Sequence, residues 1–242
     1  MEKIKKITLK AFKWIGIFIL SILFLMFIIP ILFPGTIAEQ VKLFANKRLA
    51  GILDYKKTHL TFFRHFPSLT VSVDEVLLLG SKPFQQDTLL SAKEVAAGIN
   101  LKNLIFDGEV KIDEIYVTDA YANVFVNSKG QANYNVYVPT PSDAPKDTTS
   151  KGASIKLDLI KFRNWHIRYD DHSAKVLVDA QGLNYTGKGG LSEDIFDLKT
   201  DLNVDKLDFS LDRIYYARQK SLHADLITRI NTHALTFVLR KN

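Results

Sequence analysis

From about residue 55 onward, apolar and polar residues alternate one by one along most of the chain. Leu69, Val71 and Val73 interleave with Thr70, Ser72 and Asp74. Ala122, Val124 and Val126 interleave with Asn123, Phe125 and Asn127. Trp165, Ile167 and Tyr169 do so with His166, Arg168 and Asp170, and Leu198, Leu202 and Val204 with Lys199, Asp201 and Asn203. Ala224, Leu226 and Ile230 share a face with Thr228, and Leu235, Phe237 and Leu239 close the series. A side-chain period of two sends neighbouring residues to opposite faces of a strand. Strands with one apolar and one polar face are the mark of antiparallel sheets that are wet on one side. The pattern predicts a mainly β protein: an elongated, curved antiparallel β-sheet with an apolar face. Turn signals fall between the runs at Gly80-Ser81, Asp107-Gly108, Lys129-Gly130 and Gly187 to Gly190.

Such a face has to be covered by a second sheet, a helix or a ligand. No long amphipathic pattern follows residue 50 to supply a helix. The last strand runs almost to Asn242, which leaves a sheet edge open for pairing, either with a partner or with more of a longer protein.

The part before residue 55 is different. Trp14 to Phe33 reads WIGIFILSILFLMFIIPILF, 20 residues without a charge. At about 1.5 Å per helical residue the run spans roughly 30 Å, the thickness of a bilayer core. It is too long for the apolar part of a cleaved signal peptide, and Thr36-Ile37-Ala38 is a poor cleavage site. The reading is one transmembrane helix, an uncleaved anchor. Five lysines precede it against one glutamate, so most of the net charge of +6 sits in this tail. The positive-inside rule places the tail in the cytoplasm and the body beyond Phe33 outside it. With the charge accounted for in this way, and no basic stripe carrying interleaved aromatics, nucleic-acid binding is not expected. Cysteine is absent, which removes disulfides, thiolate nucleophiles and Cys-based zinc sites.

After Pro34-Gly35, Thr36 and Glu39 form a capping box, and Ile37, Val41, Phe44, Ala45 and Leu49 follow at helical spacing. A short amphipathic helix is expected over 36–50, and a single helical turn at Leu101 to Phe106. Residues 139–152, PTPSDAPKDTTSKG, read as a linker. The expected organisation is a basic tail (1–13), the anchor (14–33), a helix and first β unit (34–138), the linker (139–152) and a second β unit (153–242).

Three stretches resemble chemistry. Gly182 to Lys188, GLNYTGK, matches seven positions of a phosphate-binding loop, but Gly189 stands where a Ser or Thr would hold magnesium, and strand-like alternation follows instead of a helix. A Gly-rich hairpin loop is expected there. His166 to His172, HIRYDDH, gathers histidines and aspartates, yet Arg168 would repel a cation on the same face, and a solvated strand end running into a turn accounts for it. In HLTFFRHFPSLTV, Pro67 forces Phe66 into an extended conformation. Strand, corner and strand follow, with Phe62, Phe63 and Phe66 anchoring the corner. No Ser, Asp or Glu stands beside Arg64 and His65 to complete a nucleophile–base pair. No catalytic residue, metal site or cofactor is expected, and the chain reads as a non-enzyme.

The order of several stretches resembles the N-terminal part of AsmA family proteins, in the form seen in Bacteroidetes-type bacteria. They are the anchor, then FPGTIAEQVKLFANKRLAGILDY, LTFFRHFPSLTVSVDEVLLLG, and LLSAKEVAAGINLKNLIFDGEVKIDEIYVTDAYANVFVNSKGQANYNVY. The last carries the family's Gly-x-x-Asn-aromatic signature as Gly130, Asn133 and Tyr134. The resemblance covers about 1–138 well and 153–242 more loosely, through IRYDD. It implies an inner-membrane anchor and a periplasmic β-rich body, similar to bridge-like lipid-transfer proteins with an apolar concave face. It also implies a role in outer-membrane biogenesis and lipid homeostasis, with phospholipid or another envelope lipid, the membrane and other envelope proteins as partners. Family members are usually several times longer. Phe62, Phe63, Val71, Val73, Val124, Val126, Ile167 and Tyr169 are the candidate positions for an apolar groove that holds acyl chains. The alternative is a structural or assembly module that pairs with another envelope protein through its sheet edge.

Overall fold

The computed structural model describes residues 14, 16–18, 20–21, 49–65, 68–100, 103, 111–136, 154–190, 193–231 and 236–240. The chain forms two compact units, 1–40 and 41–242. In the first, Trp14, Ile17, Phe18 and Leu20 are helical and exposed. No helix among the described residues is long and apolar enough to cross a membrane, and most of the anchor run lies outside them. The amphipathic helix expected over 36–50 also lies outside the described residues, except for Leu49 and Ala50, which are not helical. The N–H of Ala50 instead donates to the carbonyl of Val136. The turn expected at Leu101 to Phe106 is described only at Asn103.

The second unit is one ten-stranded sheet: β1 (Leu53–Asp54), β2 (Lys57–His65), β3 (Ser68–Leu79), β4 (Thr88–Asn100), β5 (Lys111–Val126), β6 (Ser154–Asp171), β7 (Val176–Lys188), β8 (Ile195–Leu211), β9 (Ile214–Asn231) and β10 (Thr236–Arg240). Its order is linear, β1-β3-β4-β5-β6-β7-β8-β9-β10, with β2 beside β1 on the outer side of β3. The sheet is therefore open, with two edges. The two expected strands are present, β2 and β3 being antiparallel with His65 paired to Ser68, while the corner expected at Phe66-Pro67 lies outside the described residues.

Every pairing is antiparallel except β5 with β6, which run parallel from Lys111↔Ser154 to Val126↔Asp171. A parallel neighbour needs a crossover, and the chain between Val126 and Ser154 supplies it. The segment read as a linker thus joins two neighbouring strands, and the sheet passes from β5 to β6 without a break.

Gly182 to Lys188 corrects the expected Gly-rich loop. The stretch is extended and belongs to β7. Gly182 has φ +65°, and a Cβ there would collide with the Asp205 carboxylate on β8. Its permissive backbone allows a bulge and a close approach, with no phosphate loop. Similar left-handed residues recur at Glu75 in β3, Asp119 in β5, Asn164 in β6 and Gln219 in β9. Glu75, Asp119 and Asn164 line up across the sheet: Asp74↔Glu94↔Thr118↔Arg163 and Val76↔Ala92↔Ala120↔Trp165 pair on either side of them, while Gln219 lies farther along, beside Asp208. Asn164 Nδ2 donates to Asp119 Oδ1 at 2.8 Å, and the Asn164 N–H donates to Asn184 Oδ1 at 3.1 Å. Bulges bend a strand and raise its twist, so a row of them bends the sheet along one line.

Each extra residue also shifts the alternation by one. Val73 and Val76, Val117 and Ala120, and Phe162 and Trp165 are three apart in sequence, yet all pack in one apolar cluster with Ala92. Phe162 stacks on Trp165 with ring centroids 4.4 Å apart, and Trp165 Nε1 donates to the Val117 carbonyl. The core thus sits on one face, along the bulge line.

Candidate functional site

Register and alternation sort the side chains into two surfaces. On one, Val73, Val95, Val117, Phe162, Tyr185, Leu202 and Ala224 lie side by side across seven strands. The next row on that face holds Val71, Ala97, Ile115 and Ile160. Beyond the bulges, Ala122, Ile167, Ala180 and Leu207 form another row, and Val124, Tyr169, Val178 and Phe209 the next. The candidates Val71, Val73, Val124, Val126, Ile167 and Tyr169 therefore share one face. The side chains of Phe62 and Phe63 lie outside the described residues.

This apolar face is half-buried rather than sealed. Val71, Val73, Val124, Ile167 and Tyr169 are intermediate in exposure, and Val126 is buried. The extensive contacts among described strands all join neighbours in the sheet, so no second layer lies on the face there. Toward β9 and β10 it opens further: Leu222 and Leu226 are each 40% exposed and Leu239 69%.

The face ends in one polar feature. Tyr169 donates its hydroxyl to Asp171 Oδ2 at 3.1 Å. That bond, with the nearby carboxylate, pushes the phenol pKa up. Asp171 Oδ1 accepts from the N–H groups of Ser173 and Ala174 and from the Ser173 hydroxyl at 2.7 to 2.8 Å. Those donors hold its carboxyl below the usual carboxylate range. This is an Asx-type turn closing the β6–β7 hairpin, as the composition of Asp170 to Ser173 suggested.

The opposite face is polar. Ser72, Ala96, Tyr116, Lys161, Thr186, Asp201 and Asp225 form a row directly behind the first apolar one. An open hollow of about 720 Å³ lies over it, with Glu94, Arg163, Lys188 and Lys199 also in its lining. The His166, Arg168, Asp170 and His172 side chains of HIRYDDH come to this face, where the three cationic or imidazole groups pair with carboxylates. His166 Nε2 lies 3.1 Å from Asp179, His172 Nε2 3.2 Å from Asp170, and Arg168 donates to Asp170 at 2.9 Å. The bond to Asp170 raises the Arg168 pKa, so that guanidinium is a fixed cation in the middle of the cluster. Among the described residues no group of three or more His, Asp or Glu is placed to hold a metal ion.

The signature residues sit in the turns that follow β5. Gly130 takes φ +76° in the turn after β5, Asn133 is fully buried, and Tyr134 is half-exposed. The feature that residue reading missed is the bulge row. Its signal was an apolar step of three instead of two at Val73/Val76, Val117/Ala120 and Phe162/Trp165.

No curated protein matches the chain. The model of the AsmA family matches residues 1–216, which cover the helical residues of the first unit and the sheet as far as the start of β9. The chain belongs to the AsmA family.

Proposed function

We propose that the chain is an inner-membrane protein, anchored by residues 14–33 with a periplasmic body, that holds or passes phospholipid acyl chains along its apolar face. It does so without catalysis, as part of outer-membrane biogenesis and lipid homeostasis. The observation that carries this reading is the half-buried apolar face, which runs across the sheet with no second layer on it among the described residues. Each methylene that moves from water onto such a surface gains about 0.8 kcal/mol, so an acyl chain supplies the cover that the sheet does not. Membership of the AsmA family supports an envelope role related to lipid. The anchor supports it too: an uncharged 20-residue run keeps the body beside its source of lipid.

The test is photo-crosslinking in cells. A benzophenone residue at Val124 samples the apolar face, and one at Asn123 samples the polar face one position away. Lipid adducts at 124 and none at 123 are expected. Equal labelling, or protein adducts alone at 124, would refute an acyl-chain surface.

A further inference from the structure

The turns after β3, β5, β6 and β8 all lie along one side of the sheet. Leu79 pairs with Thr88 there, Val126 with Asp171, Asp171 with Val176 and Leu211 with Ile214. Each of these turns carries one lysine or arginine, Lys82, Lys129, Lys175 and Arg213, and all four are exposed. Lys175 is held by Asp212 at 2.7 Å, while Lys82, Lys129 and Arg213 form no ion pair among the described residues. Most carboxylates on this side are occupied. Asp170 meets Arg168 and His172, Asp171 holds the β6–β7 turn, and Asp87 alone has no side-chain partner among the described residues. At the far ends of the strands the described turn joins β7 to β8, and it carries Glu193 and Asp194. A phosphate is therefore drawn to the first side and repelled by that turn on the second.

The apolar face meets the basic side at two phenols. Tyr169 stands in the row of Val124, Val178 and Phe209, close to the end of β6. Its hydroxyl donates to Asp171, so its oxygen can still accept. Tyr134, 47% exposed, lies near enough to add to the upward push on the Tyr169 phenol. The Tyr134 hydroxyl has no partner among the described residues and is free to donate to an ester or phosphate oxygen. Tyrosines with an apolar body and a polar tip suit the boundary between acyl tails and the glycerol ester. Length agrees with this. Half a bilayer core is about 15 Å deep, which is about four to five residues of strand. Four residues before Tyr169 stands Trp165, stacked on Phe162 at the bulge line. A tail that enters at Tyr169 ends against that stack. We propose that the face holds phospholipid in one orientation, with the glycerophosphate end beside Tyr134 and Tyr169 among the turn cations and the tails running along the strands to the bulge line. This rests on the lipid-holding reading and deepens it, by assigning a headgroup site and a tail direction.

The experiment uses the full chain in vesicles of phosphatidylethanolamine and phosphatidylglycerol. A trace of photoreactive phosphatidylglycerol is added, with the diazirine either in the headgroup or at the end of one tail. The headgroup probe is expected to label the turns at Ser128 to Gly130 and Ser173 to Lys175. The tail probe is expected to label the face around Ala120 and Trp165. The double variant Y134F/Y169F loses only two hydroxyls and should cut headgroup labelling of the turns at least about fivefold. K129E/R213E, altered only at exposed turn side chains, should lower it too. Tail labelling should persist in both. Headgroup labelling around Glu193, or equal labelling at both ends of the strands, would overturn the orientation and leave lipid holding intact. So would headgroup labelling that neither variant changes. A face that the tail probe never labels would remove the lipid-holding reading, and the orientation with it.

Discussion

Asn133 donates through Nδ2 to the carbonyl oxygen of Asn123 at 2.7 Å, while its Oδ1 accepts the N–H of Phe125 at 2.9 Å. Its own N–H reaches the Phe125 carbonyl at 3.0 Å. The last β4 partner of β5 is Leu90, opposite Ala122, so β5 would run on with an unpaired edge. The buried amide of Asn133 takes the place of the missing strand. Asn133→Ala leaves a backbone donor and an acceptor unsatisfied, each costing about 1–3 kcal/mol. A loss of at least about 2 kcal/mol is expected by urea denaturation. A variant as stable as the parent would show that the signature asparagine has another role.

Gly182→Ala should also destabilise, for two separable reasons. The left-handed backbone costs a non-glycine residue on the order of 1–3 kcal/mol, and the new methyl meets the Asp205 carboxylate. Asp205→Ala in the same chain removes the second cost and leaves the first. The double variant should fall between parent and single variant. A double variant no better than G182A would place the whole penalty in the backbone.

Asp171 gives the fold a pH dependence whose sign is fixed. Its folded pKa is lowered by donors from Ala174 and Ser173, below the unfolded value of about 3.9. Its stabilising share is complete above that value and is lost as pH falls through the folded pKa. Asp171→Asn should be less stable than the parent at neutral pH, and the gap should close as the pH falls below the ordinary carboxylate range. A gap that stays constant over this range would mean that the ionised carboxylate is not what holds the β6–β7 turn.

Val124→Asp places a charge beside Tyr169 and Val178 on the apolar face. On a lipid-holding surface the charge meets water whenever lipid is absent. The expected variant keeps its β circular-dichroism spectrum and loses bound lipid. Global unfolding would instead mark the face as a closed core.

The strands were legible because a period of two survives in short windows, as at Ala122, Val124 and Val126. The break between β2 and β3 was legible for the same local reason, since proline is kept out of the middle of a sheet. The bulge row was not. Left-handed residues are drawn here from Glu75, Asp119, Asn164 and Gln219, ordinary polar side chains whose backbone state is set by neighbouring strands. GLNYTGK misled because glycines mark both loops and bulges, and only the partner strand with Asp205 tells them apart. The parallel β5–β6 neighbourhood was equally hidden, because strand pairing is a long-range property that linker composition does not encode. The shared apolar face was legible as a period, but the half-burial of its residues depends on what packs above them.

The most direct measurement is native extraction of the chain from membranes, followed by mass spectrometry of whatever leaves with it. The account predicts phospholipid in stoichiometric amount, reduced in V124D. A folded chain that comes away free of lipid would contradict it.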